Sequence, residues 1–200
     1  MGEVKEPGAQ RADARRNRTR VLEAAQVAFA SQGIQVPLDE IARLAGVGAG
    51  TVYRHFPTKE ALFEAVILHR MQHLATRAWD AAAADGDAGA LFFDFVGSMV
   101  RDSAAKRDLL DALAGIGVGV TANMRDVNRE LRAAITALMH RAQAAGAVRG
   151  DVDVDHVMSL LHGVFTAART AGTTDDARID TLLAVVCDGL RAEAARPRRG

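Results

Sequence analysis

The residues best arranged for chemistry lie in one short stretch, residues 34–60, which read IQVPLDEIARLAGVGAGTVYRHFPTKE. Pro37 sits where a first helical residue tolerates proline, and Leu38, Ile41, Ala42 and Leu44 then share one apolar face over about two turns. Gly46-Val47-Gly48 forces a tight turn, and Ala49 to His55 makes a second short helix that Pro57 closes from behind. Two short helices held at a steep angle by a glycine turn form a helix-turn-helix. Its chemistry is recognition, not bond making. The major groove of DNA admits one helix, so the second helix of such a pair presents its N-terminal residues to base edges while the first braces the backbone. Leu38, Ile41, Leu44, Val47, Val52 and Phe56 are expected to form the core behind that surface.

Charge points to the same end of the chain. The 200 residues carry 25 Lys and Arg against 25 Asp and Glu, so no overall field draws the protein to nucleic acid or to a membrane, and local charge must do so. The steepest basic run is Arg11, Arg15, Arg16, Arg18 and Arg20 against Asp13, directly ahead of the helix-turn-helix.

Other constellations carry less. The clusters Gly46-Val47-Gly48-Ala49-Gly50-Thr51 and Gly115-Ile116-Gly117-Val118-Gly119 fit neither a dinucleotide fingerprint nor a P-loop, and neither follows a predicted strand. The second reads as a hinge or a close-packing point in a helix. His69 and His73 have the i, i+4 spacing of a metal pair, but no Glu follows His69, and the sequence brings no third ligand to them, so no metal and no cofactor is expected. There is no G-x-S-x-G and no paired carboxylate set, which argues against an enzyme. Cys187, the one cysteine, lies in an apolar run and reads as a buried thiol. No apolar stretch is long enough to span a bilayer and no secretory core opens the chain, so a cytoplasmic location without membrane attachment is expected.

The elements that must position the site are all helical. Residues 1–11 read as a mobile arm, and the first helix begins near Ala12, with Val21, Leu22, Ala25, Ala28 and Phe29 at helical spacing and Gly33 as its stop. Thr58 caps a long helix running through Leu62, Val66, Met71 and Trp79 to the break at Asp85-Gly86-Asp87. Further helices are expected at about 88–104, 106–119, 124–146, 153–171 and 175–195. The fold class is all-α with about nine helices: a DNA-binding domain over 12–57, an effector and dimerisation domain over 58–195, and a tail over 196–200.

The runs Leu38-Asp39-Glu40-Ile41-Ala42, Ala45-Gly46-Val47, Gly50-Thr51-Val52-Tyr53-Arg54-His55-Phe56-Pro57 and Lys59-Glu60-Ala61-Leu62 resemble the DNA-binding domain of TetR-family transcriptional regulators. The resemblance spans about residues 13–65. It implies that Ala49 and Gly50, followed by Tyr53, approach base edges, and that Thr51, Tyr53, His55 and Lys59 anchor phosphates. Arg54 suits either a guanine edge or a phosphate, and Arg16 and Arg18 suit a minor groove. Gly48-Ala49-Gly50 leaves the tip of the recognition helix without long polar readers, so backbone approach and DNA shape should share in specificity.

Two further expectations concern the larger domain. Trp79, Phe92, Phe95, Met99, Met124, His162 and Phe165 are candidates to line a cavity for a small apolar effector. Val157, Leu160, Leu161, Val164 and Ala168 form one apolar stripe, and Ile179, Leu182, Leu183, Val186 and Leu190 another. The resemblance makes these the seam of a homodimer. The partners expected are therefore double-stranded DNA, a second copy of the chain and an effector, with the chain acting as a ligand-responsive repressor on a pseudo-palindromic operator.

Overall fold

The structure, a computed structural model, describes residues 7–104, 122–170 and 176–192, without the side chains of 7–11, 101–104, 165, 168–170 and 176. Among these residues it is all-helical. The helices are α1 (Pro7–Gln32), α2 (Leu38–Ala45), α3 (Ala49–His55), α4 (Lys59–Ala83), α5 (Ala88–Ala104), α6 (Ala122–Ala144), α7 (Val154–Thr170) and α8 (Asp176–Leu190). The helix expected at 106–119, with its glycine cluster, lies outside the described residues.

Two compact units share the chain, dividing between Arg70 and Met71. That boundary falls inside α4, whereas the sequence suggested one at its start. A long uninterrupted helix gives the chain no punctuation at the point where its packing partners change. A second difference is at the N-terminus, where helix begins at Pro7 and not near Ala12. Proline suits the first turn of a helix, because its missing N–H is unneeded there.

The first unit packs α1, α2, α3 and the start of α4 around Leu22, Phe29, Ile41, Val52, Phe56, Leu62 and Phe63, all buried. Phe29 and Phe63 meet edge to face, with centroids 5.5 Å apart. Leu44 departs from its expected place in this core. It is 46% exposed, while its neighbours Ile41, Ala42 and Ala45 are buried. A helix as short as α2 has one inward face, and position 44 lies at its edge.

In the second unit, α5 to α8 and the later turns of α4 enclose a core that includes Phe92, Phe95, Val96, Met99, Leu131, Ile135, Leu138, Met139, Val157, Leu161 and Leu183. Arg141 on α6 ties the end of α4 into it: its guanidinium donates to the carbonyls of Ala81 (3.2 Å), Ala82 (3.0 Å), Ala84 and Gly86 (3.3 Å). The first two are carbonyls that a helix C-terminus leaves unpaired, and the other two lie in the bend just beyond it. Gly89 allows α5 to touch the turn after α6, since a Cβ there would stand 2.5 Å from that of Ala147. The same turn bonds to the chain leaving α8, with Arg149 N donating to Leu190 O (2.9 Å) and Ala192 N to Ala147 O (3.1 Å). This pairing ends α8 at Leu190, short of the expected 195. Before α7, Arg149 grips both oxygens of Asp151 at 2.6 Å, which lowers that carboxyl to about 2. Asp153 caps α7 by accepting the His156 amide at 2.9 Å.

The two stripes expected to form a dimer seam divide differently. Val157, Leu161, Val164, Leu183 and Leu190 are buried within the subunit's own core, as is Ile179, and so offer a partner no surface. Leu182 and Val186 are half-buried, Leu160 is 45% exposed, and Val185, absent from the expected stripe, is 66% exposed. The side chain of Ala168 lies outside the described residues.

Candidate nucleic-acid interface

The site is built from the turn upward. Gly46 closes α2 at φ 62°, a left-handed conformation that glycine adopts without strain, and its N–H donates to Arg43 O at 3.1 Å. Val47 N follows with a bond to Ala42 O at 3.0 Å. The chain then leaves Gly48 extended (φ −68°, ψ 143°) and enters α3, with Thr51 N on Gly48 O at 2.9 Å. Val52 alone of α3 is buried, and Phe56 N bonds back to Val52 O at 2.8 Å, so the short helix hangs on two apolar anchors.

Everything else on α3 is left available. Ala49, Gly50 and Arg54 are exposed, Tyr53 is 47% exposed, and Thr51 and His55 are half-buried. The His55 ring lies 6.1 Å from that of Phe56. A Cβ added at Gly48 or Gly50 would meet nothing within 4 Å, so neither glycine is required by the packing of the chain itself. Below α3, Thr58 Oγ1 accepts the Ala61 N–H at 3.1 Å, capping α4 as the sequence suggested. Lys59 Nζ donates to Gln35 O at 3.2 Å, which holds its ammonium beside the link that leads into α2.

Of the arginine run, Arg18 stacks its guanidinium over the Phe56 ring, 5.4 Å from the centroid, and is thereby drawn to the end of α3. Arg16 pairs with Asp13 on its own helix. Arg20, part of the basic run but not among the expected DNA contacts, reaches the turn, 3.5 Å from Gly46 O. The Arg18 and Arg20 links depend on residues 26 or more positions apart meeting in space, and no local pattern announces them.

The effector candidates occupy different settings among the described residues. Phe92, Phe95 and Met99 fill the core of the second unit, and Phe92, fully buried, meets Phe93 edge to face at 5.3 Å. Trp79 is 44% exposed, His162 faces solvent, Met124 is half-buried, and the Phe165 side chain lies outside the described residues. His69 and His73 gather no metal-ligand cluster among the described residues. No helix among those residues is long and apolar enough to cross a membrane.

Comparisons with known proteins agree with this architecture. The family described as bacterial regulatory proteins, tetR family, matches residues 21–66, and the C-terminal domain of SbtR-like transcriptional regulators matches residues 87–192. A crystal structure of a TetR transcription regulatory protein from Mycobacterium vanbaalenii is 43% identical, with a TM-score of 0.75 over 92% of this chain and 99% of that one. A gamma-butyrolactone receptor, an ArpA-like protein, is 25% identical with a TM-score of 0.60 over 92% of each chain. The HTH-type transcriptional regulator TtgW of Pseudomonas putida is 42% identical over 64 residues, 32% of this chain and 48% of that protein, so the chain spans about half the length of that relative. With a helix-turn-helix at residues 21–66 and the matching regulatory domain over more than half its length, the chain belongs to the TetR family of DNA-binding transcriptional regulators.

Proposed function

We propose that the chain is a ligand-responsive repressor that binds a pseudo-palindromic operator as a homodimer. One observation carries the reading: Ala49, Gly50, Tyr53 and Arg54 of α3 are exposed, and Val52 alone of that helix is buried. In this reading two copies place their α3 helices in successive major grooves about 34–36 Å apart. Ala49 and Gly50 approach base edges, with Arg54 on a guanine or a phosphate. Thr51, Tyr53, His55 and Lys59 hold phosphates, and Arg16 and Arg18 reach toward the minor groove. In this reading effector binding and dimerisation belong to the second unit.

The homodimer would use what α7 and α8 leave exposed, Leu160 and Val185 with the half-buried Leu182 and Val186. Light scattering should then give twice the 21.2 kDa chain mass, and the chain mass alone would remove the dimer. Ligand response draws support from the likeness to a gamma-butyrolactone receptor and from the rings and thioether of Phe92, Phe95 and Met99 in the core of the second unit, side chains that can adapt to a ligand. An effector that favours one of two conformations lowers DNA affinity only by its differential affinity for them. Helix α4 belongs to both units, Lys59 to Arg70 in the first and Met71 to Ala83 in the second, and so is the element to carry the change.

Fluorescence anisotropy on the chain's own upstream intergenic DNA, against a scrambled duplex at several salt concentrations, tests the DNA surface. Wild type should bind the intergenic DNA selectively, with log K falling as log salt rises. Tyr53→Ala/Lys59→Ala should lose most of that binding and flatten the salt slope by about one for each phosphate contact removed. Undiminished binding by the double variant would remove α3 and the start of α4 from the interface.

A further inference from the structure

We infer that the groove between α1 and α2 is a self-association face, through which the DNA-binding units of two copies of this chain meet weakly. The groove holds about 400 Å³ and is lined by Arg20, Glu23, Ala24, Val27, Leu44 and Ala45, all in the first unit. Its apolar floor is unusual for this surface. Val27 is 66% exposed and Leu44 46%, and they share one concavity although each sits on a helix with a well-buried opposite face. Scattered exposed hydrophobes need no explanation, but paired ones beside a cavity suit a partner.

The charges say which partner. Exposed neighbours on the same helices pair locally, Arg16 with Asp13 and Arg43 with Glu40. Glu23 makes no ion pair among the described residues, and Arg20 has no carboxylate there, only the Gly46 carbonyl at 3.5 Å. One cation and one anion, three residues apart on α1, thus flank an apolar centre. That arrangement is its own complement: about a two-fold axis, Arg20 of each copy meets Glu23 of the other while Val27 and Leu44 close over the middle. Nucleic acid fits poorly, because a phosphate brought to Arg20 would also meet the Glu23 carboxylate.

Six residues a side is far below the roughly 20–30 of a stable interface, so the contact is weak in free solution. It gains strength where something else holds two copies close, since tethering raises the effective concentration. The face is separate from the α7 and α8 surface proposed for the homodimer, and the experiment reads the two independently.

Sedimentation velocity of the full chain, from low micromolar to near-millimolar concentration, tests it. The wild-type sedimentation coefficient should keep climbing with concentration, and Leu44→Glu should abolish the climb. Arg20→Glu and Glu23→Arg should each weaken association several-fold, and the combined reversal should restore it. Leu160→Asp/Val185→Asp should lower the starting species while leaving the climb intact, so loss of the proposed homodimer would show separately. Thermal melts confirm that these surface variants fold. A flat wild-type profile, a climb undiminished in Leu44→Glu, or a double reversal no better than the single changes would overturn the inference.

Discussion

Helices α3 and α6 use their side chains in opposite ways. α3 buries Val52 alone, half-buries Thr51 and His55 and leaves its other four residues exposed, whereas α6 buries Val127, Leu131, Ala134, Ile135, Leu138, Met139 and Ala142 along one stripe. A helix with one anchor takes its position from its flanks, here the Gly46 turn, Phe56 and the Thr58 cap. A helix with a continuous stripe takes its position from its own core and serves as scaffold. Substitutions on α6 should therefore change stability and those on α3 should change binding, and each prediction below tests that division.

The largest effect should come from the scaffold. Leu138 is fully buried, and Leu138→Ala removes apolar contacts and leaves a cavity at a cost of about 2–5 kcal/mol. Urea denaturation should show the loss, while DNA affinity measured well below the melting temperature should hold. A binding defect matching the stability defect would break the division between the two helices.

Arg141→Ala should come next, at about 2 kcal/mol, since a charged donor is removed from the carbonyls that close α4. Arg141→Lys should recover part of this, because an ammonium cannot span the same carbonyls with a planar fork. Full recovery by lysine would mean that charge, and not the fork, holds α4.

Gly46→Ala tests a flank of α3. At φ 62° an added Cβ strains the backbone by about 1–2 kcal/mol, and it would stand 2.6 Å from Arg20 Nη2, pushing that guanidinium off the Gly46 carbonyl. Because this turn aims α3, DNA affinity should fall by more than the stability loss explains. A variant that loses stability but binds DNA as wild type would show that α3 is aimed from its Phe56 end instead.

The same contrast governs what the sequence made legible. Local signals placed α5 at residues 88–104, where it runs Ala88–Ala104, because Asp87 accepts the Ala90 amide at 2.9 Å and starts the helix on the spot. The glycine turn and Thr58 cap likewise fixed α2, α3 and the start of α4. Periodicity also named the apolar stripes of α7 and α8, but a stripe does not say whether it faces its own subunit or another. Leu160 and Leu161 are adjacent in sequence and similar in type, and one is 45% exposed while the other is buried. Leu44 misled in the same way. The roles of Arg141 and Gln143 had no local signal at all: Arg141 meets carbonyls 55 to 60 residues away, and Gln143 Nε2 bonds Arg149 O and Val152 O at 2.9 Å to shape the turn before α7.

The smallest predicted effect bears most directly on why α3 has a bare tip. Gly48 is the N-cap of α3 and makes no side-chain cap, its φ of −68° is open to any residue, and a Cβ there would touch nothing. Serine at this position can accept an N–H of the first turn and is a better cap than glycine by a few tenths of a kcal/mol. Gly48→Ser should therefore raise stability slightly in chemical denaturation. If the tip backbone approaches DNA closely, the same variant should lose operator affinity, and a helix made more stable would then bind less well. A variant that gains in both measurements would show that the space before Ala49 is open in the complex too, leaving Tyr53, Arg54 and the phosphate contacts to set specificity.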